Sequence, residues 1–181
     1  MSLHSDAYAV LSGWAAPDAE QDALREDYLA HLRDRPDALQ RTCLPHHLTA
    51  SALIVSADGS QVLLTLHRKL QRWLQTGGHC EDGDVTVRGA ALREATEESG
   101  IAGLDVDPEP LRLDRHSLVC GGRDDAQHLD VQMLAVAATG AVPAISDESL
   151  DLAWFDVDAL PDTDDSVRAL VAAAQSRLAL A

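Results

Sequence analysis

No run of eighteen apolar residues occurs in this sequence, which excludes a helix long enough to span a bilayer. The opening stretch, "MSLHSDAYAV", lacks a basic region followed by an apolar one, so no signal peptide is expected and the cytoplasm is the default compartment. Cysteine is scarce as well. Cys43, Cys80 and Cys120 are odd in number, widely spaced and without a C-x-x-C pair, so neither a disulfide framework nor a thiolate zinc site is suggested, and three reduced thiols are the simplest reading. Positive charge is the third shortage: 14 basic residues stand against 30 acidic ones, a formal net charge of -16. Nucleic acid backbones and anionic lipids are bound through clustered Lys and Arg. DNA, RNA and membrane surfaces are therefore not expected as partners.

What the chain does have is 46% hydrophobic residues over 181 positions, enough to bury one core with a small appendage beside it. Residues 1–45 read as that appendage, a helical extension. The stretch "PDAEQDALREDYLAHLRDR" opens with Pro17 and acidic residues and sets Leu24, Tyr28, Leu29 and Leu32 at helical spacing, and a second short helix is expected after Pro36. From His47 the period changes to two: "HLTASALIVS" and "QVLLTL", separated by "ADGS", read as a hairpin. Residues 86–99 read as a helix with Leu92 and Ala95 inward, ended by Gly100 as a left-handed cap. Two further strands, "LRLDRHSLVC" and "HLDVQMLAVAAT", are divided by the loop "GGRDDAQ". A short strand in "LAWFDVDAL" and a terminal helix capped by Asp164 or Asp165 complete the order. Helices, strands, one central helix, strands and a last helix argue for an α/β fold with helices packed on a mixed sheet.

Within this acidic chain, "GGHCEDGDVTVRGAALREATEESG" (residues 77–100) gathers six carboxylates against two arginines. On a helix, Glu94, Glu97 and Glu98 share one face, and Glu94 with Glu98 forms a like-charged i, i+4 pair that weakens the helix. Arg93 stands four residues before Glu97 and offsets part of that repulsion. Clustered carboxylates with a nearby carbonyl suit a hard cation, Mg²⁺ or Mn²⁺, better than zinc, which prefers His and Cys. Turn, helix and cap are specified together, since Gly77 and Gly78 follow a strand and loop and Gly100 with Ile101 ends the helix.

Residues 78–101 resemble the Nudix box, G-x5-E-x7-R-E-U-x-E-E-x-G-U with U aliphatic. Gly78 matches its first glycine, and Arg93, Glu94, Ala95, Glu97, Glu98, Gly100 and Ile101 match its second half position by position. Two departures occur: Asp84 replaces the mid-box glutamate, and eight residues rather than seven separate it from Arg93. The resemblance implies an α/β/α sandwich over residues 46–181, with residues 1–45 outside it. It also implies hydrolysis of a nucleoside diphosphate linked to another group, by water attacking phosphorus with metal assistance. A small-molecule nucleotide or diphosphate is then the expected partner, and the polyanionic substrate and acidic protein meet through divalent cations.

The same resemblance implies roles. Glu97 and Glu98 are the principal metal ligands, with the Gly77 carbonyl completing the set. Glu94 either binds metal or deprotonates the water, and Arg93 orients it. Relatives often recruit a carboxylate from the loop before the late Trp-containing strand, where Glu148 and its competitor Asp147 stand. For substrate, His128 and Asp130 alternate on one strand face and can point into the cleft, while Trp73 either stacks on a base or, the better match, packs on the sheet. His67, Arg68 and Lys69 either contact phosphate or form a solvated strand end. His79 reads as a polar neighbour rather than a ligand, because no second His or Cys stands at zinc spacing. The pattern at 17–34 prompts two expectations for the extension, a cover over the cleft or a homodimer contact. Two other functions share the fold. An isopentenyl-diphosphate-isomerase-like enzyme would need a C-G-H-P type segment where this chain reads G-G-H-C, and a silent nucleotide-sensing module would be expected to have lost the R-E-U-x-E-E core.

Overall fold

Ser2, Asp18, Thr86 and Asp164 each place a side-chain oxygen on a free amide of the helix that follows, at Ser5, Gln21, Gly89 and Val167. These N-caps satisfy donors that have no intrahelical partner and so fix where each helix begins. They start α1 (Leu3–Gly13), α2 (Ala19–Asp34), α3 (Val87–Ser99) and α4 (Asp165–Ala179) in a computed structural model that describes residues 2–120, 123–146 and 149–179. None of the described helices is long and apolar enough to cross a membrane.

The strands are β1 (His46–Val55), β2 (Gln61–His67), β3 (Trp73–Leu74), β4 (Thr76–His79), β5 (Asp105–Val106), β6 (Arg112–Cys120), β7 (Arg123–Val136) and β8 (Ser149–Asp156). β1 is the spine. It runs parallel to β7 along its whole length, and on its other edge it pairs antiparallel first with β4, Thr49 opposite His79, and then with β2, Ile54 opposite Leu63. β2 in turn pairs with β3 and β8, and β7 with β5 and β6, so the sheet is mixed as the element order implied.

Period-two alternation gives β1 two different faces. Leu48, Ala50, Ala52 and Ile54 join one core with residues of α1, α2 and α3, whereas Leu53 and Val55 join a second with Val167, Leu170 and Val171 of α4. The result is helices on both sides of the sheet. The extension shares the first core: Ala7, Leu11, Tyr28, Leu29 and Leu32 are buried in it. α2 is also fastened to the outer strand β6, where the buried Gln21 amide donates to the Leu113 carbonyl at 3.1 Å and accepts its N–H at 2.7 Å, and the Tyr28 hydroxyl donates to the Asp114 carbonyl at 2.7 Å.

Three sequence expectations are corrected. No helix follows Pro36; residues 36–43 form turns closed by bonds such as Cys43 N–H to the Gln40 carbonyl at 2.8 Å. The segment expected as a loop at 121–127 is largely strand, because β7 begins at Arg123 and its residues there pair with the end of β6. Leu92 points outward, 36% exposed. The inward stripe of α3 is Val87, Ala90, Ala91 and Ala95, whose small side chains let the helix lie close on Ala50 and Ala52.

Candidate functional site

That close approach brings the polar side of α3 against β4. The Gly77 N–H donates to Glu98 Oε2 at 3.2 Å. Gly77 itself lies against β1: a Cβ there, at φ 156°, would stand 2.3 Å from the Ser51 Cβ, so only glycine fits. At Gly78 the neighbour is the Glu94 carboxylate instead. A Cβ on Gly78 would meet Glu94 Oε1 at 2.8 Å and Cδ at 2.9 Å, so the glycine is the seat on which the Glu94 carboxylate rests.

Arg93 is the hub of this cluster. Its Nε and Nη2 donate to the two oxygens of Asp84 at 3.1 and 2.9 Å, Nη1 donates to Glu94 at 2.9 Å and Glu97 at 3.1 Å, and Nη2 also donates to the His79 carbonyl at 3.0 Å. Every arm of the guanidinium fork is used, which holds Glu94 by a charge-assisted bond of fixed direction. Asp84, which stands in place of the mid-box glutamate, is the principal partner of Arg93. Burial raises its carboxyl, but the Arg93 hydrogen bonds, the Glu81 amide and the Arg93 charge outweigh burial and hold it below the usual carboxylate range. Bonding to Asp84 in turn raises Arg93, more than burial lowers it.

Asp84, Glu94 and Glu97 all bond one guanidinium, which offsets a single negative charge of the three, and Glu98 stands one residue further along the helix. An oxygen-rich, anionic donor set of this kind fits a hard divalent cation. Glu97 is the most open of these groups, with its side chain 60% exposed, against 14% for Glu94.

The other sequence candidates fall elsewhere or deeper. Asp147 and Glu148 lie outside the described residues. Arg68 Nη2 donates to the Ser149 carbonyl at 3.3 Å, where β2 meets β8, and His67 Nδ1 accepts the Leu70 N–H at 3.1 Å. Trp73 packs edge-on against Phe155, ring centroids 4.7 Å apart, in the α4-side core, so packing is the reading its surroundings match. Asp130 is buried and accepts the Thr49 and Ser51 hydroxyls at 2.9 and 2.6 Å; burial raises its carboxyl despite those bonds. Cys80 packs against the α3-side core, and burial pushes its thiol up to about 12. A thiol held this high stays protonated at neutral pH.

One grouping was not legible. His128, expected to face substrate, and His79, read as a polar neighbour, converge with His47, which the sequence did not single out; one ring nitrogen from each lies within 4.8 Å of the others. They sit on the β1 face opposite α3, beyond the end of the α4 core. Zinc-type spacing within one segment was the only available signal, and here the three residues come from β1, β4 and β7.

With this geometry in view, comparison with known proteins is informative. A family model described as NUDIX domain matches residues 45–174. No curated protein sequence matches the chain. Among solved structures, a C. elegans Ap4A hydrolase binary complex is similar with TM-score 0.61 and 20% identity, covering 74% of this chain and 98% of that one. The NUDIX domain of Shewanella oneidensis NrtR complexed with ADP ribose gives 0.57 and 20%, covering 72% and 87%. The E. coli dihydroneopterin triphosphate pyrophosphohydrolase gives 0.56 and 20%, covering 68% and 91%. At these identities the likeness is one of fold.

Proposed function

The chain belongs to the NUDIX family, and from that premise we propose that it hydrolyses the pyrophosphate linkage of a nucleoside diphosphate derivative, with water attacking one phosphorus atom and Mg²⁺ or Mn²⁺ assisting. The observation that carries the reading is the Arg93 hub, which fixes Glu94 on Gly78 beside Glu97 while Glu98 takes the Gly77 amide. A bound divalent cation would neutralise charge on the phosphoryl oxygens and lower the pKa of a coordinated water. Glu97, Glu98 and the Gly77 carbonyl would hold it.

In this proposal the Glu94 carboxylate serves as a further ligand or takes the proton of the attacking water. Either role needs it ionised and immobile. The Nη1 bond at 2.9 Å serves the second condition, since it fixes the carboxylate's direction. The two bonds to Asp84 keep the guanidinium from swinging away with Glu94. Arg93 and Asp84 therefore act as positioning residues. Known ligands or substrates of the similar structures, Ap4A, ADP ribose and dihydroneopterin triphosphate, support a small nucleotide-type diphosphate or polyphosphate as substrate. A cytoplasmic location belongs to the same reading and is supported by the free thiols of Cys43 and Cys80.

The test is phosphate or pyrophosphate release from a panel of nucleoside diphosphate derivatives with Mg²⁺, with Mn²⁺ and with chelator. Metal-dependent turnover of at least one compound is expected. Binding without turnover across the whole panel, in metal-replete and folded protein, would overturn hydrolysis in favour of a sensing module.

A further inference from the structure

The histidine grouping on the far face of β1 meets the chemical requirements of a transition-metal site. His47 is fully buried, and its Nδ1 lies 3.2 Å from the Cys43 carbonyl. A carbonyl can only accept, so Nδ1 carries the proton and the neutral ring presents its lone pair at Nε2. That Nε2, with His79 Nε2 and His128 Nε2, is buried without a hydrogen-bond partner among the described residues. Three orphaned imidazole nitrogens in one place is an unusual arrangement, because buried polar atoms are ordinarily paired. The rings are mutually packed, with centroids 5.1 Å apart for His47 and His79, 4.8 Å for His47 and His128, and 4.8 Å for His79 and His128.

We infer that His47, His79 and His128 form a binding site for one borderline divalent transition metal of the zinc type, separate from the carboxylate cluster on α3. Imidazole suits zinc and its neighbours, whereas Mg²⁺ and Mn²⁺ prefer carboxylate, carbonyl and water. Three histidines with a fourth position left for water is an established zinc arrangement. Tetrahedral ligands about 2.05 Å from zinc stand about 3.4 Å apart. The observed nitrogens lie within 4.8 Å of one another, so a bound ion would draw them closer together.

The Cys43 carbonyl on His47 is the kind of outer partner that fixes a ligand's tautomer and orientation. His116, 5.3 Å from His128 by ring centroids, is bonded through Nδ1 to Asp114 and flanks the site. The site ties β1, β4 and β7 together at one end of the sheet. His79 also touches the positioning residue of the carboxylate cluster: its ring faces the histidine site while its carbonyl takes an Arg93 N–H at 3.0 Å.

The experiment uses the full chain, stripped with chelator and titrated with Co²⁺ and with Zn²⁺. One equivalent of Co²⁺ is expected to give the intense visible bands of a four- or five-coordinate nitrogen site. Losing an outer-shell partner costs about 10–100-fold in metal affinity. His47→Asn, His79→Asn and His128→Asn each remove a ligand outright and should weaken Co²⁺ by more than that. Glu98→Gln should keep the bands. Long-range ¹H–¹⁵N spectra of the unaltered protein give a readout that needs no variant: Zn²⁺ should shift three histidine Nε2 signals together. Weak octahedral cobalt bands lost in Glu98→Gln, cobalt binding unchanged in folded histidine variants, or zinc leaving the three Nε2 signals in place would each overturn the inference.

Discussion

The guanidinium of Arg93 clasps Asp84 through two parallel hydrogen bonds, Nε to Oδ1 at 3.1 Å and Nη2 to Oδ2 at 2.9 Å. The loop that carries the extra residue thus presents Asp84 to Arg93, with the Glu81 N–H donating to Asp84 Oδ2 at 2.8 Å to close the turn.

Asp84→Asn tests this clasp through pH. Its folded carboxyl is held below the usual value, so the stabilisation is fully present above the unfolded pKa of about 3.9 and disappears as pH falls through the folded value. Urea midpoints measured between pH 5 and pH 2 should fall more steeply for the parent protein than for Asp84→Asn. Equal slopes would mean that Asp84 is not the group whose ionisation the fold uses.

Gly78→Ala separates activity from stability. The added methyl meets the far end of the Glu94 side chain, 2.8 Å from Oε1, which can yield at little cost to folding but only by leaving its seat. Turnover should drop by about 10²-fold, a typical consequence of a misplacement near 1 Å, with a thermal midpoint within a few degrees of the parent. Gly77→Ala should instead fail to fold well, because the obstacle is Ser51 backbone and Cβ at 2.6 and 2.3 Å.

Glu98→Gln removes one negative charge from the carboxylate cluster while keeping an oxygen for the Gly77 amide. Metal assistance contributes several kcal/mol to such reactions, so turnover on the best substrate should fall by about 10²–10³-fold while circular dichroism stays unchanged. Near-parent kinetics would remove Glu98 from the proposed metal ligands.

Gln21→Ala tests how the extension is held. Both the N–H and the carbonyl of Leu113 would lose their partner, and each buried unsatisfied group costs about 1–3 kcal/mol. A loss of about 2–6 kcal/mol in urea-derived stability is expected. A loss under about 0.5 kcal/mol, the range of ordinary surface changes, would show α2 to be loosely attached.

The sequence and the structure agree most where information is local. Arg93, the glutamates and Gly100 act within one helix, so their spacing alone specified a carboxylate-bearing element with its C-cap. Asp84 was ambiguous because its partner is chosen by a loop conformation that spacing does not encode. Leu92 was misjudged because inward direction on α3 is set by the small gap over Ala50 and Ala52, which favours Ala90, Ala91 and Ala95 over a larger side chain. His47, His79 and His128 were invisible as a group, since their meeting depends on β1 pairing with β4 on one side and β7 on the other. Gln21 gave no signal either, because its role depends on a strand 92 residues away.

The amide of Val87, at the start of the carboxylate-bearing helix, donates to Asp6 Oδ2 of α1 at 2.8 Å. This has a bearing on portability. A graft of residues 78–101 into another scaffold would carry Thr86 and Gly100 with it, yet leave that first amide without its acceptor. The box, continuous as text, is structurally a composite of two distant segments, and a transplant would have to bring an acidic side chain from outside it.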